Sequence, residues 1–462
     1  MTKDTIAAIA TGMTEAGISI IRISGEDAIS VADKVFKAAD KSRLSDSPSY
    51  TAHYGFVYNK SEKLDECIAL VLRGPKSFTA EDTVELDCHG GLLVTRRVLE
   101  AVLDAGARLA EPGEFTKRAF LNGRIDLTKA EAVMNVIGAK NDFALKTSIR
   151  QLSGQTADVI EKLRNRIIEE AAFIEAALDD PEHYEMDNYG EKLLPVIEEV
   201  QSRINKLLKN AEAGRLLAEG IGTAIIGRTN AGKSSLLNRL LGLERAIVTD
   251  IPGTTRDVLS ETLVLNNTTL KLYDTAGIRE TDDTVEKIGV DRSRDTIEKS
   301  DLILYVIDSS AEMTDEDDEI RELVKDKNVI VVLNKSDKKA DGANLPDEEK
   351  VKALLPNAKT VRISAATGEG FDDLTGAISD MFDEHLMISA DEAVITNLRQ
   401  IDELKKTNEA LNQVKESIEM GMSEDFLSGD LMAAYERLGL ITGDTIADDL
   451  ADTIFDRFCM GK

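Results

Sequence analysis

Apolar residues alternate with polar ones, or run together briefly, through the first quarter of the chain. The segments TIAAIA, ISIIRIS, HYGFVY, DECIALVLRG and TVELDCHGG read as strands. Spacing near 3.6 over Asp27–Ala38 and Leu92–Ala105 predicts helices between them, so residues 1–122 are expected to form an α+β domain. After Gly123 the period turns helical. Ile160, Leu163, Ile167, Ala171 and Ile174 share one stripe, and Leu194, Ile197, Val200, Ile204 and Leu207 another. Asp179–Gly190, with Pro181, separates them. From about Glu219 to Glu384 the strands before Gly227, TLKLYD, LILYVID, NVIVVLN and KTVRIS alternate with helices, which predicts an α/β, doubly wound and mostly parallel sheet. Helix returns at Ile395, Leu398, Ile401, Leu404, Leu411, Val414 and Ile418, then in Leu431–Leu438 and Thr445–Phe458. Residues 123–218 and 385–462 each expose a wide apolar stripe. The expected solution is that they pack as one helical-bundle domain, with the 219–384 domain inserted in it.

The inserted domain carries the chemistry. Gly227–Ser235, GRTNAGKSS, fits the phosphate-loop pattern G-x-x-x-x-G-K-[ST] between a strand and a predicted helix, Lys233–Leu241. Gly232 lets the backbone of Asn230 and Ala231 turn its N–H groups to phosphate oxygens. Lys233 reaches the outer phosphates, and Ser234, followed by Ser235, offers a hydroxyl to Mg²⁺. Asp274-Thr275-Ala276-Gly277 follows TLKLYD, where a strand-end acid suits water-mediated Mg²⁺ and a glycine N–H suits a γ-phosphate. Asn334-Lys335-Ser336-Asp337 closes NVIVVLN, and the Asp337 carboxylate matches the paired N–H donors of guanine. Ser364-Ala365 follows KTVRIS and is expected to support the base. Four such motifs on strand ends predict a GTPase.

The position after the Gly277 motif often holds a glutamine that orients water; here it is Ile278. Two substitutes stand nearby in sequence. Asn230 with Thr249-Asp250-Ile251-Pro252-Gly253-Thr254-Thr255 offers oxygens for a monovalent cation, and Glu286 is either a water-orienting base or an ordinary exposed acid.

Composition narrows the setting. With 462 residues the chain is long enough for about three domains. A formal net charge of −29 excludes a general basic surface for nucleic acid, so any such contact is local or shared with a partner. Cys67, Cys88 and Cys459 are too few and too scattered for a disulfide framework or a zinc site, which fits a cytoplasmic setting. The N-terminus has no signal-peptide pattern, and no apolar run is long enough to span a membrane. The acidic run Asp315–Glu319 lacks calcium-loop spacing and is expected to be a solvated helix start.

With PGEFTKRAFLNGRIDLTKAEAV at Pro112–Val133, VTDIPGTTRD at Val248–Asp257 and FCMGK at Phe458–Lys462, the chain resembles the tRNA modification GTPase MnmE (TrmE) family over its full length. The resemblance implies a homodimer joined through the N-terminal domains, a 5-formyl- or 5,10-methylene-tetrahydrofolate site, and GTPase domains that meet across K⁺. It implies Asn230, Thr249, Ile251 and Thr254 as K⁺ ligands, Ser234 and Thr255 for Mg²⁺, and Glu286 for water orientation. It further implies Arg22, Glu85, Arg124 and Lys462 for folate; by themselves Arg22 and Arg124 read as surface cations. An FAD-dependent partner in a hetero-oligomer and modification of wobble uridine at C5 in certain tRNAs follow from it. Cys459 matches a family cysteine of functional interest, though a near-terminal cysteine is otherwise inert. The chain departs from the family at Thr11–Ser19, where a Pro- and Gly-rich stretch is usual, at Thr229 and at Met460. A GTP-switched ribosome-assembly or RNA-binding factor is the rival reading, but its usual basic RNA-binding appendage or second GTPase domain is missing from the sequence.

Overall fold

The structure, a computed structural model, describes residues 4–184, 186, 188–243, 261–265, 268–273, 296–338, 345–386, 393–444, 454–455 and 461. The chain divides into two compact units. One comprises Met1–Gly138, Ser148–Gln201 and Glu403–Lys462; the other comprises Ala139–Thr147 and Ser202–Asp402.

In the first unit, β1 (Ile6–Ile9), β2 (Ala16–Ser24), β3 (Phe36–Ala38), β4 (Thr51–Asn59), β5 (Glu62–Leu72), β6 (Thr83–Gly90) and β7 (Arg108–Leu109) form a sheet in the order β3-β4-β5-β6-β2-β1-β7. All pairings are antiparallel except β1 with β7. Strand alternation sends Ile21, Ile23, Val57, Cys67, Ala69, Val71, Val84, Leu86 and Cys88 into one core with α1 (Ala28–Val35) and α2 (Leu92–Asp104). The helix expected to run to Ala38 stops at Val35. Phe36–Ala38 instead pairs with Val57–Gly55, because an edge strand satisfies that backbone while Phe36 and Ala38 still reach the core. Between β1 and β2 the departing loop is tied by Thr11 Oγ1, which lies 2.8 Å from Ser19 Oγ and accepts the Ile20 N–H at 3.2 Å.

Four helices follow: α3 (Glu114–Leu121), α4 (Leu127–Gly138), α5 (Asp142–Leu152) and α6 (Gln155–Asp179). The predicted stripe of α6 is buried from Ile160 to Ile174, and α6 packs against the helix Glu424–Thr442, which buries Leu427, Leu431, Ala434 and Leu438. In α7 (Tyr189–Glu219) the first buried leucine is Leu193 rather than Leu194, because the helix begins with Tyr189 inward. Leu398, expected in the apolar stripe of the helix Leu398–Glu419, is 66% exposed, in a first turn that Asn397 caps by accepting the Arg399 N–H at 2.8 Å.

The second unit holds β8 (Ile221–Ile226), β9 (Glu261–Leu265), β10 (Thr268–Leu272), β11 (Leu302–Asp308), β12 (Val329–Asn334) and β13 (Lys359–Arg362), in the order β13-β12-β11-β8-β10-β9. Pairings are parallel except the β9–β10 hairpin. Every residue of β11 is buried, which is the mark of a strand covered on both faces. Leu302, Leu304 and Val306 pack with α8 (Lys233–Leu243) and the helix Phe371–Leu386 on one side. Ile303, Tyr305 and Ile307 face Val324 and Val351, from the helices Asp315–Val324 and Glu348–Leu354, on the other. This is the doubly wound arrangement expected. It places the β8, β11, β12 and β13 carboxyl ends, where such sheets bind ligands, on one edge. Among the described residues no helix is long and apolar enough to cross a membrane.

Candidate functional site

The turn after β8 is shaped by glycine. Gly227 has φ +149° and Gly232 φ +102°; a Cβ on the first would lie 2.3 Å from the Val306 carbonyl oxygen, and on the second 2.1 Å from Asn334 Nδ2. No other residue fits either place. Lys233 opens α8, its ammonium donating to the carbonyls of Gly227 at 2.6 Å and Arg228 at 2.9 Å. Burial pulls its pKa below the usual lysine range, against the opposing pull of Glu316. Ser234 and Ser235 follow in the first turn of α8.

The strand ends then lock together. Asn334, 1% exposed, donates from Nδ2 to the Ala231 carbonyl at 2.9 Å and accepts the Ala365 N–H on Oδ1 at 3.0 Å. Lys335 donates to the Asn230 carbonyl at 2.7 Å and pairs with Asp308 at 2.6 Å. Burial pushes the Asp308 carboxyl up, but the bonds from Lys335 and Ser310 outweigh it and hold the group below the usual carboxylate range. Ser364 Oγ donates to Asp337 Oδ1 at 2.7 Å and accepts the Thr367 N–H at 3.1 Å. Asn230, Ala231, Lys233, Asn334, Lys335, Asp337, Ser364 and Ala365 are thus brought together from three loops. An open cleft of about 450 Å³ lies beside Arg228, Thr229 and Asn230.

One part of this edge was not anticipated. Arg228 Nη1 donates to the Glu312 carbonyl at 2.9 Å and lies 3.5 Å from Asp317 Oδ2. Asp317 also accepts from the Tyr305 hydroxyl at 3.1 Å and caps its own helix through Thr314 N–H at 2.9 Å. The expected solvated start of the helix Asp315–Val324 is therefore only partly so: Asp317 is fully buried. The signal was present in the Thr314-x-x-Asp317 capping-box spacing, and in Tyr305, whose hydroxyl needs a partner in an all-buried strand.

In the other unit, Arg22 on β2 stands opposite Glu85 on β6 and donates from Nε to Glu85 Oε1 at 2.7 Å. Its Nη1 reaches the carbonyl of Gly461 at 3.4 Å, from a residue 439 positions away. Gly461, φ +88°, lies against β1, where a Cβ would stand 2.2 Å from the Ile9 carbonyl oxygen. Arg124, in the turn after α3, donates to the Phe78 carbonyl at 3.0 Å. Arg22 is no free surface cation. Arg22 and Arg124 lean on the Phe78 ring, and Arg22 also holds Glu85 and the Gly461 carbonyl. Thr249–Thr255, Asp274–Gly277, Ile278, Glu286, Cys459, Met460 and Lys462 lie outside the described residues.

Residues 127–459 match the family described as "MnmE helical domain", and residues 5–124 match "GTP-binding protein TrmE N-terminus". The chain belongs to the MnmE family. Relatives named tRNA modification GTPase MnmE resemble it end to end. One from Lachnoclostridium phytofermentans is 51% identical, with 100% of both chains covered. One from Geobacillus thermodenitrificans is 45% identical over 99% of each, and one from Bacillus cereus 44% over 100% of each. The MnmE helical match spans the inserted sheet as well as the helices on either side of it.

Proposed function

We propose that this chain is a potassium-stimulated GTPase that, with an FAD-dependent partner, modifies C5 of wobble uridine, position 34, in certain tRNAs using a tetrahydrofolate one-carbon unit. As a member of the MnmE family it is a GTP hydrolase of tRNA modification. The observation that carries the finer reading is the cluster in which Arg22 and Arg124 lean on Phe78 while Arg22 meets Glu85 and the Gly461 carbonyl. This donor set fits a folate: a carboxylate for the N–H pair of an aminopyrimidine, guanidiniums for carboxylates, and an aromatic ring between them. When bound, the folate supplies the one-carbon unit.

At the nucleotide edge, Asp337 keeps acceptor capacity beyond its bond from Ser364, which suits guanine's N1–H and 2-amino group. Adenine presents no such donor pair. Lys233 and the loop N–H groups hold the phosphates. Mg²⁺, held by Ser234 and Thr255, and K⁺, held by Asn230 and the Thr249, Ile251 and Thr254 oxygens, would add charge against the triphosphate; all these donors are the oxygens such cations take. With Ile278 unable to orient water, Glu286 takes that task. Residues 1–122 join two copies, and hydrolysis opens and closes the GTPase domains as γ-phosphate contacts are made and lost. Nucleoside analysis of tRNA from cells lacking this protein should show loss of the C5-modified wobble uridine. Unchanged modification overturns the reading.

A further inference from the structure

Phe78 stands at the centre of the gathered residues, although no motif singles it out. It lies in Arg73–Asp82, which is neither helix nor strand. That segment is nonetheless held from several sides. Gly74 N–H donates to Asp82 Oδ1 at 2.9 Å, Thr79 Oγ1 lies 2.6 Å from Ser24 Oγ, Asn122 Nδ2 donates to the Thr79 carbonyl at 2.7 Å, and Arg118 reaches Glu81 at 3.3 Å. Behind the ring, Phe78 packs on the buried cluster of Ile6, Ala8, Ala110 and Phe115. The ring is therefore fixed before any ligand arrives.

Two cations lean on it. The Arg22 guanidinium carbon is 5.8 Å from the Phe78 ring centroid, and that of Arg124 is 5.1 Å away, both inside cation–π range. Arg22 is also tied to Glu85 and lies 5.7 Å from the Phe115 ring. Arg124, by contrast, meets no carboxylate among the described residues; its contacts are with the ring and the carbonyl of Phe78. An arginine stem left unheld loses considerable rotamer freedom on binding, and a fixed aromatic face removes part of that cost beforehand.

We propose that Phe78 is a positioning residue of the candidate folate site: its ring holds Arg22 and Arg124 at a set spacing, so that one site presents a paired donor–acceptor edge at Arg22–Glu85 and an uncompensated cation at Arg124. The first suits an aminopyrimidine ring, the second a glutamyl carboxylate. This rests on the folate reading above.

The test uses the full-length chain and 5-formyl-tetrahydrofolate in a calorimetric titration. Phe78→Leu should weaken binding about tenfold, the product of two contacts each worth about threefold. Phe78→Tyr, which keeps the π face, should stay within about twofold. In an Arg124→Ala background, Phe78→Leu should cost only about threefold, because one of its two contacts is already gone. Phe78→Met keeps the side-chain volume without the ring and carries the same comparison if leucine disturbs the cluster behind it, as judged by circular dichroism. If the unaltered protein binds no folate, the folate reading itself fails. If it binds and the leucine and methionine variants bind equally well, or if their losses add fully to that of Arg124→Ala, Phe78 does not act through the arginines and the proposal is overturned.

Discussion

Asn334→Ala tests whether the nucleotide edge works as one unit. The side chain ties the phosphate loop to the Ser364–Ala365 turn with bonds of 2.9 Å and 3.0 Å, and its partners Ala231 and Ala365 are 0% and 8% exposed. Truncation leaves one carbonyl and one N–H buried without a partner, each costing about 1–3 kcal/mol. Taking about 1.5 kcal/mol for each gives about 3 kcal/mol, or roughly a hundredfold in an equilibrium constant. That cost falls on the arrangement in which both loops face the nucleotide, so affinity drops by the fraction of molecules that leave it. Titration with a fluorescent GDP analogue should show a Kd raised roughly a hundredfold. Asn334→Asp keeps the acceptor for Ala365 but sets a carboxylate against the Ala231 carbonyl, and should do no better. A change under about threefold in the alanine variant would mean that the two loops hold their places independently, refuting the reasoning.

Asp337→Asn should relax guanine preference, measured as GTP against xanthosine triphosphate turnover; unchanged selectivity counts against its role. Glu286→Ala should lower kcat by about a hundredfold or more with nucleotide affinity kept, and a near-normal kcat returns Glu286 to an ordinary surface acid. Exchanging K⁺ for Na⁺ should cut GTP turnover sharply, whereas equal rates in the two salts refute the cation assignment. Asp87 has an oxygen that is buried and without a hydrogen-bond partner among the described residues, and burial, then Glu85, pushes its pKa up. An acid with a raised folded pKa costs stability once ionised, a cost fully present above that pKa and gone below about pH 4, where the carboxyl is protonated folded or unfolded. Asp87→Asn should therefore raise the Tm at pH 7, with the gain shrinking as pH falls toward 4; a gain independent of pH rules out this cause.

The nucleotide edge was legible in the sequence because its determinants are local. A glycine with φ +102° and an asparagine ending a buried strand each announce themselves within a few residues of chain. The strands were legible for the same reason, since alternation in the first sheet and short continuous apolar runs in the second each need only neighbours. Where competing local patterns overlap, the reading slipped: the helical spacing through Val35 runs straight on into Phe36, and only the distant β4 makes that residue a strand. The Arg22–Glu85 pair spans 63 positions and was reached by resemblance alone. Phe78 was missed because an aromatic residue in a loop carries no period; its clue was an apolar ring amid GPKSFTAED, where nothing local could cover it. Asp317 misled because a run of acids looks solvated, whereas its partners, buried Tyr305 and half-buried Arg228, come from other elements.

The bond between Arg22 and Gly461 has a consequence for biosynthesis. Polypeptides emerge at about 5–20 residues per second, so on the order of a minute separates the appearance of the two partners. During that interval the inserted unit, whose residues 202–402 are contiguous, is free to acquire its fold and bind nucleotide. The full set of contacts to Arg22 must wait for Gly461. A polypeptide clipped short of Gly461 would keep its phosphate loop yet lose a carbonyl that Arg22 meets from 439 positions away.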